Sequence, residues 1–418
     1  MSSASRWASA ILAPSIAFFA SAGWYLARTV SSIYLIEGGS SVEDMGGMRI
    51  THSVVGMLGL ALGGGIAIAT GPWVPLILGA GALSVGLFAL AALPVDAAPI
   101  ALGLAAFGHA MILPALYGAL ARALDGELEG LRNAAFLVVA ASINAGAFMS
   151  PLFGSEIRAA LGFRTVFLTG GGIAVVALVL AGILGAVVLM TRKKEPSKSE
   201  PAPAGGWARA GVGGGVVVVC ALPWALAIGA GAWELLAPEL RYGLSEVEST
   251  TLHALNPLVV IALSLLGAVA FVVLHALKAK VPALLIAGLG LAVLGVGAAL
   301  SAALIDEDAS LVTVGAVLVI GAIGEALFLP LLLSRATADL PLRLETAVAA
   351  AWILAIRVIM MLTAFVSDEP SGQRALLWVG ALAALVVGIG LAAASFPLRR
   401  VFALEPASGS LPSAPGAG

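Results

Sequence analysis

One carboxylate in an otherwise apolar run constrains this chain more than any other feature. Gly315 to Leu333 reads GAVLVIGAIGEALFLPLLL, with Glu325 close to its middle. A helix needs about 20 residues to cross the hydrocarbon core of a bilayer, and this run is long enough. Placing an acidic side chain at the centre of such a helix costs about 2.5 to 3.5 kcal/mol on insertion scales. Glu325 is therefore expected to face a protein interior or a wet cavity and to have a partner there. It acts either as glue between helices or as part of a path for a solute or ion, and ionisable groups at membrane depth more often mark a path.

Composition sets the same frame. Hydrophobic residues make up 61% of the chain and charged ones only 11%, with a mean hydropathy of +1.08, whereas a soluble globular chain carries about 25% charged residues. The expectation is an all-α polytopic membrane protein with the lipid bilayer as its solvent. A net charge of −2 points to neither a nucleic-acid partner nor a polybasic membrane-surface mode. Cys220 is the single cysteine, so no internal disulfide can form. The four histidines His52, His109, His253 and His275 are scattered, without an HExxH motif or a cysteine cluster, and neither a metal nor a cofactor is expected. Neither a GxxxxGK[ST] loop nor a GxSxG elbow occurs, so the expectation is a protein that is not an enzyme. The first apolar run is too long for a signal peptide's core and reads as a first spanning helix.

Counting about 20 apolar residues per span places twelve spans at 9–36, 50–70, 73–93, 98–121, 133–153, 163–190, 211–237, 251–275, 281–304, 310–334, 344–367 and 372–396. Six lie on each side of Thr191 to Arg209, a basic, Pro-rich stretch that reads as a linker. The expected organisation is a bundle over 1–190, a cytoplasmic linker over 191–209, a second bundle over 210–400, and a disordered tail over 401–418. With both termini inside, fourteen of the 21 basic residues fall in inner segments, while the outer loop Asp306-Glu307-Asp308 is acidic. Cytoplasmic loops retain Lys and Arg, so both termini are expected in the cytoplasm and the protein in the plasma or inner membrane. Six plus six helices resemble the two bundles of major facilitator transporters. The expected unit is a monomer.

Four stretches extend that likeness. Ile143 to Pro151 reads INAGAFMSP, followed by Leu152; Leu255 to Leu258 reads LNPL; Gly321 to Glu325 reads GAIGE, with Pro330 and Ser334 downstream; and Trp24-Tyr25-Leu26-Ala27-Arg28 precedes Ile33-Tyr34-Leu35. In this order they resemble motifs of the fifth, eighth, tenth and first helices of the proton-dependent oligopeptide transporter family. The resemblance spans most of the chain. It implies a central pocket for small peptides, in which Asn144, Asn256 and Glu325 hold an amino end and Arg28 a carboxylate, with Tyr25 and Trp352 lining the site. The chemistry agrees on its own terms, because an ammonium suits a carboxylate with amide oxygens and a carboxylate suits a planar guanidinium. Without the resemblance, interhelical hydrogen bonding accounts for the asparagines equally well, and snorkelling toward an interface is an alternative for Arg28.

The departures matter as much. Ala17, Ala20 and Ser21 occupy the positions where the family carries its first-helix glutamates and arginine, and Leu113 stands where its fourth helix carries a lysine. The seventh-helix stretch Pro223 to Gly229 lacks the family's polar pair, leaving Glu234 a little further on. Proton coupling is therefore expected to be weak or absent, with Glu325 the remaining proton carrier. Arg357, bare among Trp352 to Thr363, needs a partner, and Glu325 is the expected one. The leading expectation is a secondary transporter of a small peptide-like or zwitterionic solute. The alternatives are an uncoupled facilitator, a drug-type efflux protein, or a receptor that kept the fold and lost the transport cycle.

Overall fold

In hydrocarbon no water is available to satisfy backbone polar groups, so a chain this apolar must bond its own amides, as helices do. The computed structural model describes residues 3–39, 42–124, 129–191, 219, 220, 222–226, 246–279, 281–304, 310–338, 340, 344–366 and 370–402. Its long helices are α1 (Ser3–Glu37), α2 (Val42–Thr70), α3 (Trp73–Ala92), α4 (Ala98–Ala123), α5 (Glu129–Thr191), α6 (Glu246–Ala276), α7 (Ala283–Leu304), α8 (Leu311–Ala336), α9 (Glu345–Val366) and α10 (Pro370–Phe402). Among the described residues, nine helical stretches are long and apolar enough to cross a membrane. On α10, Val379, Leu382, Val386 and Ile389 recur every three or four residues, and each is more than half exposed. A stripe of that kind is the face a helix turns to lipid.

α5 holds two of the expected spans. Its 63 residues would reach about 95 Å if straight, three times the bilayer core. The helix instead folds back at Gly162, whose φ of 79° and ψ of 170° lie in a region open essentially to glycine. Both limbs then pack on α1: Gly146 of the first lies against the backbone of Phe18 and Ala22, and Gly170 of the second against Gly23. A Cβ at Gly162 would meet nothing within 4 Å, so the cost of adding one is backbone strain alone. Gly162→Ala should therefore lose roughly 1 to 3 kcal/mol. Gly172→Ala, in equally open space but within regular helix, should be neutral or gain up to about 1 kcal/mol. Thermal unfolding in detergent checks the pair, and equal responses would contradict the fold-back at Gly162.

The halves repeat one packing pattern. α3 lies between α4, where Gly79 meets Gly108, and the second limb of α5, where Ile77 meets Gly185. α7 lies likewise between α8, where Gly290 meets Gly324, and α10, where Gly288 meets Gly388.

The helices run past the apolar stretches that announced them. Arg122 and Arg132, expected in a loop, stand instead in the last turn of α4 and the first turn of α5. The reason is that the opposite half supplies polar partners for both. Of the expected seventh span, 211–237, only 219, 220 and 222–226 are described, and these are helical. Glu234, Asp306-Glu307-Asp308, the linker from 192 to 209 and the tail from 403 lie outside the described residues.

Candidate functional site

The acidic side of the site is built on the second half. Asn256 comes one residue before Pro257 in α6, where proline's missing N–H interrupts the helical bonding and loosens the turn. The Asn256 amide Nδ2 donates to Oε2 of Glu325, 3.4 Å away on α8. Tyr117 of α4 lies buried and stacks on Phe136 with ring centroids 5.6 Å apart. One helical turn beyond Glu325, Phe328 packs against Trp352 of α9 with ring centroids 6.1 Å apart. The Trp352 indole N–H is buried and has no hydrogen-bond partner among the described residues. A carboxylate, an amide and an unspent indole donor thus lie on neighbouring turns of three helices.

The basic side is built mainly on the first half. The Arg28 guanidinium carbon lies 5.8 Å from the centroid of the Tyr25 ring, one turn away on α1. His109 of α4 stacks on Trp24 at 5.4 Å and meets Tyr25 edge-on at 6.0 Å, with its Nε2 buried and without a hydrogen-bond partner among the described residues. Arg357 enters this group from α9, in the other half. Its Nη1 lies where a methyl group on Gly56 of α2 would stand, with Ala110 of α4 close by.

The structure brings together some of the expected residues and separates others. Glu325 is with Asn256, Arg28 is with Tyr25, and Trp352 packs on Phe328, one helical turn beyond Glu325. Asn144 turns away from this group, its Nδ2 donating to the Ala140 carbonyl of its own helix at 2.9 Å. The expected ion pair between Glu325 and Arg357 is not formed: Glu325 takes Asn256, and Arg357 reaches past the interface into the first half. Ala17, Ala20 and Ser21 are buried, and Ser21 packs beneath Gly146 of α5. Where the family resemblance would place charge, the chain has close helix packing. Among the described residues no cluster of His, Cys, Asp and Glu could hold a metal ion.

At one end of the helices, polar contacts that the sequence did not single out link the two halves. Arg132, only 5% exposed, donates from Nε to the Ser334 carbonyl at 3.1 Å, from Nη1 to the Ala121 carbonyl at 3.2 Å and from Nη2 to Thr337 Oγ1 at 2.8 Å. Two of those partners are at the C-terminus of α8, the negative end of a helix dipole, which suits a guanidinium. Beside it the Ser334 hydroxyl donates to Asn133 Oδ1 at 2.7 Å. The Ala283 N–H at the start of α7 donates to Glu129 Oε1 at 3.3 Å, and Arg122 forms an ion pair with Glu345 at 3.6 Å. Each of these links except the bond from Arg132 to Ala121 joins the two halves. A basic residue at the edge of an apolar run, as Arg132 is, can belong to the loop or to the helix. His109 and Tyr117 carry no motif in the sequence, and only their neighbours mark them out.

No protein-family model and no curated protein matches the chain. Among solved structures it is similar to the crystal structure of a major facilitator superfamily transporter, FucP, in the outward conformation. The TM-score is 0.64 with 12% of residues identical, covering 92% of this chain and 98% of that one. At that identity the likeness carries the architecture and not the solute. The chain shares the all-helical major facilitator fold of that structure.

Proposed function

We propose that the protein is a secondary transporter that moves a small zwitterionic, peptide-like solute by alternating access between its two halves. The observation that supports this reading is a pair of opposite charges carried on different halves of the chain. Glu325, braced by Asn256, is on the second half, and Arg28, over Tyr25, is on the first. A solute with an amine at one end and a carboxylate at the other would contact both walls, each end meeting its complement. The motif resemblance to oligopeptide transporters supports the same solute class. The buried polar links around Arg132 supply one closed end, as a rocking mechanism requires. The preponderance of basic residues at that end supports a cytoplasmic placement for it and for both termini, with the plasma or inner membrane as the setting.

One specific observation favours an uncoupled cycle. Ala17, Ala20 and Ser21 are packed against other helices and cannot titrate, and Leu113 brings no charge to α4. Among the described residues around Asn256 and Trp352, Glu325 is the carboxyl that could carry a proton. The test is uptake of labelled dialanine into proteoliposomes, with and without an imposed inward proton gradient. The expected result is equilibration to the same level in both. Accumulation driven by the gradient and abolished by a protonophore would instead make Glu325 a proton carrier. Saturable binding of dialanine without any uptake would favour the receptor alternative.

A further inference from the structure

His109 of α4 is not used by the reading above, although it is only 3% exposed and closely placed. Two helix contacts put it there. Gly108 lets α4 press against α3, because a Cβ in its place would stand among the backbone atoms of Gly79, Ala82 and Leu83. Gly23 does the same for α1 against the second limb of α5, at Gly170 and Ala174. The rings that meet come directly after these glycines. Trp24 and Tyr25 are consecutive, so their side chains leave α1 about 100° apart, and a single ring that touches both must lie in the notch between them. His109 stacks on Trp24 with ring centroids 5.4 Å apart and planes 18° from parallel, and meets Tyr25 edge-on at 6.0 Å and 81°. Its Nε2 is buried and has no hydrogen-bond partner among the described residues, so what the imidazole supplies is a small flat ring. The Tyr25 ring in turn has its centroid 5.8 Å from the Arg28 guanidinium carbon. Arg28 is exposed, and the ring it rests on gives it a direction.

We infer that His109 is a positioning residue for solute binding: wedged between Trp24 and Tyr25, it fixes the ring over which Arg28 presents its guanidinium to a carboxylate. The inference rests on the reading of Arg28 as the partner of the solute's carboxylate, and extends it to a residue that no solute atom has to touch. Without the wedge, Tyr25 can turn about χ1 into the vacated space. The guanidinium above it then keeps its charge and loses its direction. A misdirected guanidinium still attracts a carboxylate but no longer meets it with two donors of its planar fork. The amino end of the solute is outside this chain of contacts, because Glu325 and Asn256 are on the other half.

The experiment is isothermal titration of the detergent-purified full chain with dialanine and with alanyl-alaninamide, which keeps the amino end and replaces the carboxylate by an amide. His109→Ala should weaken dialanine roughly tenfold, the scale of one or two aromatic contacts, and leave alanyl-alaninamide as it was. His109→Phe, which keeps a flat ring in the notch, should restore dialanine binding. In Arg28→Gln, already weakened toward dialanine, adding His109→Ala should cost nothing further, since both changes remove the same interaction. Should His109→Ala fail to fold, His109→Gln, with a side chain of similar size and no ring, takes its place. Equal weakening of both probes, or a further loss in the Arg28→Gln background, would reduce His109 to general packing and overturn the inference. His109→Phe behaving like His109→Ala would overturn it too, by showing that the nitrogen is what matters. If Arg28→Gln weakens dialanine while His109→Ala does not, the inference falls and the reading of Arg28 stands. If Arg28→Gln leaves dialanine binding unchanged, or neither probe binds, that reading falls and takes the inference with it.

Discussion

Glu325→Gln should lower the affinity for dialanine by roughly 10- to 100-fold while leaving the fold intact. The substitution keeps the side chain's shape and an oxygen that can still accept from Asn256, and it removes only the charge. A hydrogen bond to a charged group contributes about 1.5 to 3 kcal/mol, and 1.4 kcal/mol is about one decade in affinity. The unliganded protein should melt at the same temperature or slightly higher, because a half-buried charge is costly to keep without its ligand. An acidic probe without an amine should bind as before, since its partners are on the opposite wall. Dialanine affinity that does not change would make Glu325 glue between α6 and α8, the alternative that its position in the run left open.

Arg132→Ala should have the larger effect on conformation. The side chain is buried and makes three hydrogen bonds, two of them to the other half. At about 1.5 kcal/mol or more for each bond to a charged group, losing the two cross-half bonds removes roughly 3 kcal/mol from the closed end. That shifts an open-to-closed equilibrium by about 100-fold. The Asn133 to Ser334 bond, the Glu129 to Ala283 bond and the Arg122–Glu345 pair remain, so the halves should still meet, but less often. Hydrogen exchange at the ends of α4 and α8 should rise in the variant and stay unchanged at Leu93 and Ser310, at the opposite end of the bundle. Exchange that is unaltered at the Arg132 end would show that the neighbouring links hold it shut without Arg132.

Spans were legible in the sequence because lipid leaves so little choice: an apolar run of the right length has to be a helix, and its length gives the crossing. The fold-back of α5 was legible for the same reason, with Gly162 between two runs that each fill a membrane. Contacts between helices were harder. Arg357 was assigned to Glu325 because both are charges stranded in apolar runs, and that logic ignores helix rotation. The guanidinium goes where Gly56 leaves a gap, and Gly56 is about three hundred residues earlier in a glycine-rich face that reads as plain helix packing. Asn144 matched a motif and yet bonds its own helix, an option open to any amide one turn after a carbonyl. Arg132 was missed because its partners are backbone carbonyls at a helix end, which carry no residue signature.

In the proposed cycle the two halves rock about a solute held between Glu325 and Arg28. Pulsed electron–electron distance measurement tests it most directly, on protein in which Cys220 has been replaced by alanine so that introduced cysteines alone are labelled. One spin-label pair at Thr70 and Leu277 reports on the end closed by Arg132, and a second at Leu93 and Ser310 reports on the opposite end; all four positions are exposed. On adding saturating dialanine, the two distance distributions should move in opposite senses, the opposite end shortening as the Arg132 end lengthens. Distributions that stay unchanged, or that shift together, would contradict alternating access around this site.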